Sequence, residues 1–588
     1  MVTEKAKVVP RKLSREAYCA LESVVGKEWV SEDRAIVESY VVHCIDAGVQ
    51  IAVLGKNPRV RAAAVVLPAT VEEVQGVVRV ANRYGIHVVP WANAQINSSP
   101  TAPNTVLVCM SRMDKIQVDE QNMSITIEPF VNYGMIHHEA SKRGLWLGGS
   151  GWHGAIAKPC SQSCIAGVWQ SDLKYNGLSR SIIGAKIVLP DGSLLRLGSS
   201  AIAGTGEIPF TENIPGPNLW GIFKASLGSR GIVTELTLKL HPWVGGYPFP
   251  EDRGRPSVEH YFEEAKEKKF DRPPTHPRHK IFWFEYPTLE GIIEGASRLA
   301  GSGVGVALNI TGNYNSMMCS YTIAEANERS RAFFGIVGYM VLAGISSERQ
   351  LAYEEKVLKH IVAETGGKLL SPQYKPELLD ALSPWNVEYV LNTETGMRTV
   401  RSNYMSLTLP PFGGFSEIKD SAEIWKTAEK DVGFVGEDRG EYFSRMMIDC
   451  PYGYITDRGH QLTIEMDQFP ERTSLAECAT FLKGALHAYC AYMDKGYPGS
   501  WMMDTGEPFL SNFPEIGPDT YLLTRGYRRI TDPQGIYAPG RVILSSEEFE
   551  AMVKKVPLTM KTIHDLRAQF GFPKLELAEE GDRWKSPE

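Results

Sequence analysis

Few side chains in this sequence stand where they can do chemistry. His460 heads the alternating run DRGHQLTIEMDQF, and a neutral imidazole at the start of a strand either hydrogen-bonds or offers a nucleophilic nitrogen. Tyr452, Tyr454 and Arg458 lie just before it, Tyr497 follows in GYPGSWMMD, and Tyr175 stands far upstream. Phenol hydroxyls and a guanidinium can hold a small polar ligand; their competing identities are an interfacial or core aromatic and a solvated surface charge. Asp172, in WQSDLKYNG, is an acid or base candidate whose plainer alternative is a loop aspartate capping a turn. Cys160 and Cys164 are the one close cysteine pair. A tetrahedral metal site needs a second Cys/His pair nearby, so these read as packed or loop thiols. The region around His460 carries no His-x-x-x-His spacing.

The elements that must position these groups follow from periodicity. Ala62 to Pro68, AAAVVLP, reads as a short buried strand, and Thr70 with Glu73 has the capping-box spacing of a helix start. Val71, Val74, Val77, Val78 and Ala81 share one helical face, Gly85 ends the helix, and IHVVP is a second strand. The unit is β-α-β. Strands continue at NTVLVCM and SITIEP, Asn132 opens an amphipathic helix through Lys142 that stops at Gly144, and Pro190-Asp191-Gly192 joins two strands as a hairpin. GIVTELTLKLHP alternates as a half-buried strand does. Beyond about residue 242, helices such as SSERQLAYEEKVLKHIVAETGG and SLAECATFLKGALHAYCAYMDKG interleave with strands such as KIFWFEY and YMSLTL. This second α+β region is entered through the Pro/Gly-rich stretch HPWVGGYPFPEDRGRP.

Composition bounds the function. At 588 residues the chain exceeds one hydrophobic core, which favours two domains or one domain interrupted by another. The hydrophobic fraction of 43% and charged fraction of 22% are those of a globular protein. A net charge of −7 without long basic runs excludes a nucleic-acid partner. The N-terminus shows no secretory signal and no segment approaches the ~20 apolar residues of a membrane span. The nine cysteines, odd in number and scattered, read as reduced thiols. The expected location is cytoplasmic.

Three segments, taken in order, resemble the FAD-binding domain of the vanillyl-alcohol oxidase and p-cresol methylhydroxylase superfamily. They are LPATVEEVQGVVRVANRYGIHVVP from Leu67, IGAKIVLPDGSLLRLG from Ile183 followed by LWGIFKASLGSRGIVTELTLKLHPWVGGY, and DPQGIYAPGR from Asp532 to Arg541. The resemblance implies FAD as cofactor and an α+β fold: a two-part FAD-binding domain with an inserted α+β cap, or substrate, domain. The expected spans are 1–244 and 245–500, with 501–588 returning to the FAD/cap interface. It places the flavin diphosphate on the loop formed by Pro90, Ala92, Asn93, Ala94, Gln95, Ile96, Asn97 and Ser98. The family's loop is glycine-rich and this one has no glycine, but its alanines and serines keep it small and its amides can hydrogen-bond phosphate. Gly167, Gly228 and Gly231, with Ile232, Val233 and Arg541, are the other implied cofactor contacts, the glycines because they lack a Cβ. His460 is similar in context to the cap histidine that vanillyl-alcohol oxidase bonds to the flavin 8α-methyl, so the resemblance implies an FAD contact there, covalent or not.

Phenol-oxidising relatives hold their substrate with a tyrosine and an arginine after the long cap helix. Here Ser500 and Trp501 stand at those positions, leaving Tyr497, Tyr454, Arg458 and Asp172 as the catalytic candidates. The reading is an FAD-dependent oxidase or dehydrogenase that oxidises a small phenolic or alcohol substrate by hydride transfer to flavin N5, with re-oxidation by oxygen or a protein electron acceptor. One alternative on the same scaffold is a 2-hydroxy-acid dehydrogenase of the lactate or glycolate type. Another, from a different class, is a catalytically silent flavoprotein subunit. Relatives imply a homo-oligomer, and no metal is expected.

Overall fold

Thr70 leaves the first strand in an extended conformation, and its side chain accepts the Glu73 N–H at 3.2 Å. Glu73 Oε2 returns to the N–H of Ala69 at 2.7 Å, one residue earlier than a standard capping box. Four donors at a helix start lack intrahelical partners, and this reciprocal pair satisfies two amides of the turn. The helix Val71–Tyr84 buries Val74, Val77, Val78 and Ala81, and ends at Gly85 in left-handed geometry, φ 62°. In this computed structural model the described residues are 12–40, 62–92, 104–149, 157–164, 172–175, 177–224, 226, 228–243, 278–311, 336–370, 412–432, 452–465, 487–488, 490–492, 494–495, 518–538, 568 and 571.

That helix sits beside a sheet of β1 (Val30–Ser31), β2 (Ala64–Val66), β3 (His87–Trp91) and β4 (Thr105–Cys109), in the order β1-β2-β4-β3. β2 and β3 both run parallel to β4, which the β-α-β connection requires, and β1 pairs antiparallel with β2. The helix Arg15–Val25 lies across Val71–Tyr84 so closely that a Cβ at Gly76 would stand 2.7 Å from Val24 Cγ1.

A second sheet comprises β5 (Ile116–Asp119), β6 (Ser124–Ile127), β8 (Ile182–Val188), β9 (Leu194–Leu197) and β10 (Ile232–Lys239), in the antiparallel order β5-β6-β10-β8-β9. β7 (Leu145–Trp146) and β11 (His241–Pro242) form a separate antiparallel pair. The β8–β9 hairpin turns at Gly192, φ 82°, with Asp191 accepting the Ser193 N–H at 2.8 Å. Asn82 and Gln75 of the first helix donate to the Pro190 and Gly192 carbonyls, each at 2.7 Å, and so tie the two sheets together. One expectation is corrected here. β10 is not half-buried, because it is the central strand and both its faces are covered; only Glu235 and Lys239 are less than buried. Its inward threonines are satisfied locally, Thr237 by Thr126 at 2.9 Å and Thr234 by the Lys186 carbonyl at 3.0 Å.

The third sheet is built from the second α+β region: β12 (His279–Tyr286), β13 (Ala307–Ile310), β14 (Ile336–Ala343), β15 (Lys368–Leu370), β16 (Phe412–Gly413), β17 (Tyr452–Thr456) and β18 (Gln461–Glu465). Its order is β15-β12-β14-β13-β17-β18-β16, antiparallel throughout. Phe284, Met340, Leu308, Ile455 and Leu462 belong to one core with Ile292 and Leu299 of helix Leu289–Gly301 and Leu358 of helix Glu348–Glu364. The expected strand YMSLTL, most of the helix SLAECATFLKGALHAYCAYMDKG and the entry stretch after Trp243 lie outside the described residues.

The chain's last described element returns to the first sheet. After helix Pro518–Thr531, Asp532 accepts the N–H groups of Ile536 and Tyr537 at 2.9 and 3.1 Å. Tyr537 then pairs in parallel with Val88 of β3, and its hydroxyl donates to the Val188 carbonyl at 3.2 Å.

Candidate functional site

Candidate cofactor residues gather at the end of β3. Pro90 lies near the end of that strand and Ala92 just beyond it, and the Ala92 carbonyl accepts from Ser161 Oγ at 3.2 Å, on the short helix Pro159–Ser163. Gly228 comes to the same place from the other sheet: at φ 77° it packs so that a Cβ would lie 2.5 Å from Pro90 Cγ. At Gly231 a Cβ would lie 2.6 Å from Ile187 Cγ2. Protein packing by itself therefore calls for glycine at both positions, which the resemblance gives as backbone contacts to the cofactor. Ile232 and Val233 follow directly, buried in β10 and paired with Val188 and Ile187. Asn93, Ala94, Gln95, Ile96, Asn97 and Ser98, together with Gly167 and Arg541, lie outside the described residues.

The cysteine pair is internal. Cys160 is buried, and desolvation pushes Cys164 up to about 11, so both are neutral thiols at pH 7.

An aromatic group gathers around Gly148. Gly148, at φ 93°, leaves room for His241 and Tyr175, whose rings stack at 4.0 Å between centroids, with Trp146 5.6 Å from Tyr175. Burial holds His241 down to about 4 and raises Tyr175, so both are neutral at pH 7. Tyr175 is thus a packed aromatic.

Asp172, expected on a loop, instead opens the single helical turn Asp172–Tyr175. That turn packs against the tight turn Asp457–Gly459 between β17 and β18. Leu173 is buried in the core of the third sheet, and Arg180 ion-pairs with Asp457 at 2.6 Å. The structure therefore brings Asp172, Arg458 and His460 onto neighbouring segments. Asp457 and Arg458 both have positive φ, 48° and 55°, unusual for residues with a Cβ. Such strain persists where surrounding structure over-determines it, and it concentrates at sites with a task. Arg458 and His460 are exposed, and the His460 N–H closes the turn onto the Asp457 carbonyl at 3.1 Å.

Tyr454 is different: it is fully buried in β17. Register shows why it matters. Trp283 pairs with Tyr339, Tyr339 with Asn309, Asn309 with Tyr454, and Tyr454 with Thr463, so these residues form one row across five strands. Directly paired residues share a face, and this face is opposite the one the helices cover. Trp283 and Tyr339 rings are 4.9 Å apart, Asn309 Nδ2 donates to the Tyr339 hydroxyl, and Asn309 Oδ1 has no partner although the residue is fully buried. Whichever way the amide is oriented, one of its polar atoms is left open. Sequence reasoning found Tyr454 but missed Trp283, Asn309 and Tyr339. The available signal was a polar residue inside the apolar run VGVALNI. Tyr452 opens β17, its side chain outside the described set, and Tyr497, Ser500 and Trp501 also lie outside it.

Comparison with known proteins bears on the domain and the fold. Residues 62–198 match a family described as FAD binding domain. The probable mitochondrial D-lactate dehydrogenase of Danio rerio is 26% identical over 225 residues, 38% of this chain and 42% of that protein. The glycolate oxidase subunit GlcD of Bacillus subtilis is 26% identical over 191 residues, 30% of this chain and 37% of that protein. The aligned stretch thus spans less than half the length of these relatives. Two solved structures cover far more: p-cresol methylhydroxylase with substrate bound, at TM-score 0.71 and 18% identity, and the isoeugenol complex of 4-ethylphenol oxidase from Gulosibacter chungangensis, at 0.71 and 17%. Each match covers 92% of this chain and 99% of the other.

The protein is a flavoprotein by its domain: residues 62–198 are an FAD-binding domain and FAD is its cofactor. Over most of its length the chain shares its fold with p-cresol methylhydroxylase and 4-ethylphenol oxidase. The residues at hand suit that cofactor, because Gly228, lacking a Cβ, lets two backbone segments meet at Pro90, where the loop expected to carry the diphosphate begins. Among the described residues no helix is long and apolar enough to cross a membrane.

Proposed function

We propose that the chain is an FAD-dependent oxidase or dehydrogenase acting on a small phenolic or aromatic alcohol substrate. The observation that carries this reading is the buried row Trp283, Tyr339, Asn309 and Tyr454 on the face of the third sheet opposite the helices. It offers aromatic surface, hydroxyls and an open amide atom, which complement an aromatic ring bearing a hydroxyl. Bound FAD supplies a two-electron acceptor at N5. In this reading Tyr454 and Tyr339 orient the substrate hydroxyl, with Tyr497 as a further phenol. Asp172, on the turn packed against Asp457–Gly459, takes the substrate proton, and Arg458 favours the anionic form of the substrate. His460 is the cap contact to FAD and the residue for any covalent bond to it. Oxygen or a protein acceptor re-oxidises the flavin, and the active species is a homo-oligomer.

A second reading, 2-hydroxy-acid oxidation, draws on the naming of several sequence relatives as D-lactate dehydrogenases. A dye-coupled assay with 4-alkylphenols, aromatic alcohols, D-lactate and glycolate separates the two. Turnover with the aromatic substrates alone is the expected result; turnover with the hydroxy acids alone transfers the protein to the second reading. Acid precipitation then tests His460: colour in the pellet, lost in His460→Ala, supports attachment, and colour wholly in the supernatant rules it out.

A further inference from the structure

Arg230 stands between Gly228 and Gly231 and is 5% exposed. Its Nη1 donates to the Ile222 carbonyl and its own carbonyl accepts from the Tyr527 hydroxyl at 3.2 Å, but its Nε has no partner. Burial lowers it to about 10, which leaves it charged at pH 7. The titratable groups that bear on it are Tyr527 and Cys164, both pushed up by burial and both neutral at that pH. Among the described residues no carboxylate balances it. Arg528, equally buried, is built otherwise: Asp532 lies 3.4 Å from its Nε, and the Tyr537 carbonyl accepts from Nη2 at 3.2 Å. A buried guanidinium without a counter-charge is strongly disfavoured, so a partner must come from outside the chain's own described groups.

We propose that Arg230 is the counter-charge of the FAD diphosphate. The residue lies two positions after Gly228, whose backbone packs on Pro90 at the entrance to the loop after β3. The sequence of that loop has no glycine, and a cation from the neighbouring sheet supplies a charge-assisted partner for an anion there. The inference rests on FAD as the cofactor.

The test uses the purified wild type, Arg230→Met and Arg230→Lys, reading the flavin-to-protein ratio, thermal melting with and without added FAD, and phosphorus NMR of the bound diphosphate. Arg230→Met is expected to lose flavin at least about tenfold, while its flavin-free form melts at or above the flavin-free wild type, because an unbalanced charge has been removed. Arg230→Lys is expected to keep flavin with displaced diphosphate resonances. Full flavin in Arg230→Met with unmoved resonances overturns the proposal and leaves Arg230 a packing residue. Should Arg230→Met fail to fold, Arg230→Lys decides, since unmoved resonances there overturn it equally. A wild type that takes up no FAD at all removes the cofactor, and the proposal with it, a result distinct from a fully loaded Arg230→Met.

Discussion

Asn309 shows what a single residue can reveal. Its fully buried, open amide atom makes sense when a ligand completes it, and replacing it with an apolar residue of similar size separates ligand binding from folding. Asn309→Leu is expected to leave the melting temperature near that of wild type and to lower kcat/KM for the aromatic substrate by roughly 10- to 100-fold. Equal kcat/KM in both proteins would detach the row from the substrate. Glu417 makes a pH prediction. It is fully buried with neither carboxylate oxygen partnered, and burial raises it from 4.5 to about 7. The fold therefore favours its protonated form, so its contribution is complete below about 4.5 and lost as the pH rises through about 7. Glu417→Gln should gain in melting temperature over wild type between pH ~5 and ~8, and a constant gap across that window would contradict the assignment. Neither residue was legible in the sequence. A lone Asn in an apolar strand and a Glu in the first turn of a helix look ordinary until register and burial are known.

At the scale of elements, local chemistry was read well where it is local. The Thr70 cap, the Gly85 stop, the Asn132 cap and the Gly192 turn all depend on residues within a few positions of each other. Thr70→Ala is expected to lower stability by about 1 kcal/mol, measured by denaturant unfolding. A change within error would mean that Glu73 and the tertiary contacts alone hold the helix start. β10 was misjudged for the opposite reason: its position at the centre of a sheet is fixed by partners distant in sequence, and alternation cannot report that both faces are covered. Asp532 is an element-scale lever of the same non-local kind. Asp532→Asn removes the charge opposite Arg528 and weakens its acceptance of two N–H groups. Faster hydrogen exchange at Ile536, Tyr537 and Val88 is the expected outcome, and unchanged protection would show that the parallel bridge stands without it.

For the molecule as a whole, two long-range junctions matter. Tyr537 joins the end of the chain to β3, and the turn Asp457–Gly459 meets the helical turn Asp172–Tyr175. The resemblance of three ordered segments led to the expectation of a returning C-terminal segment and a cap, because their order along the chain implies such a layout. It did not foresee the cross-strand row, which exists only when five strands are placed in register. Arg180 carries the ion pair at the second junction but is 62% exposed. Arg180→Ala is accordingly expected to change stability by less than about 1 kcal/mol, and a larger loss would mark that pair as a structural tie between the two regions.

The central claim is that this FAD-binding chain oxidises an aromatic hydroxyl compound held on the third sheet. It is tested most directly by anaerobic titration of the purified protein while its visible flavin absorption is followed. Bleaching by 4-ethylphenol, with no response to D-lactate, is the predicted result. Bleaching by D-lactate with no response to any alkylphenol would contradict it.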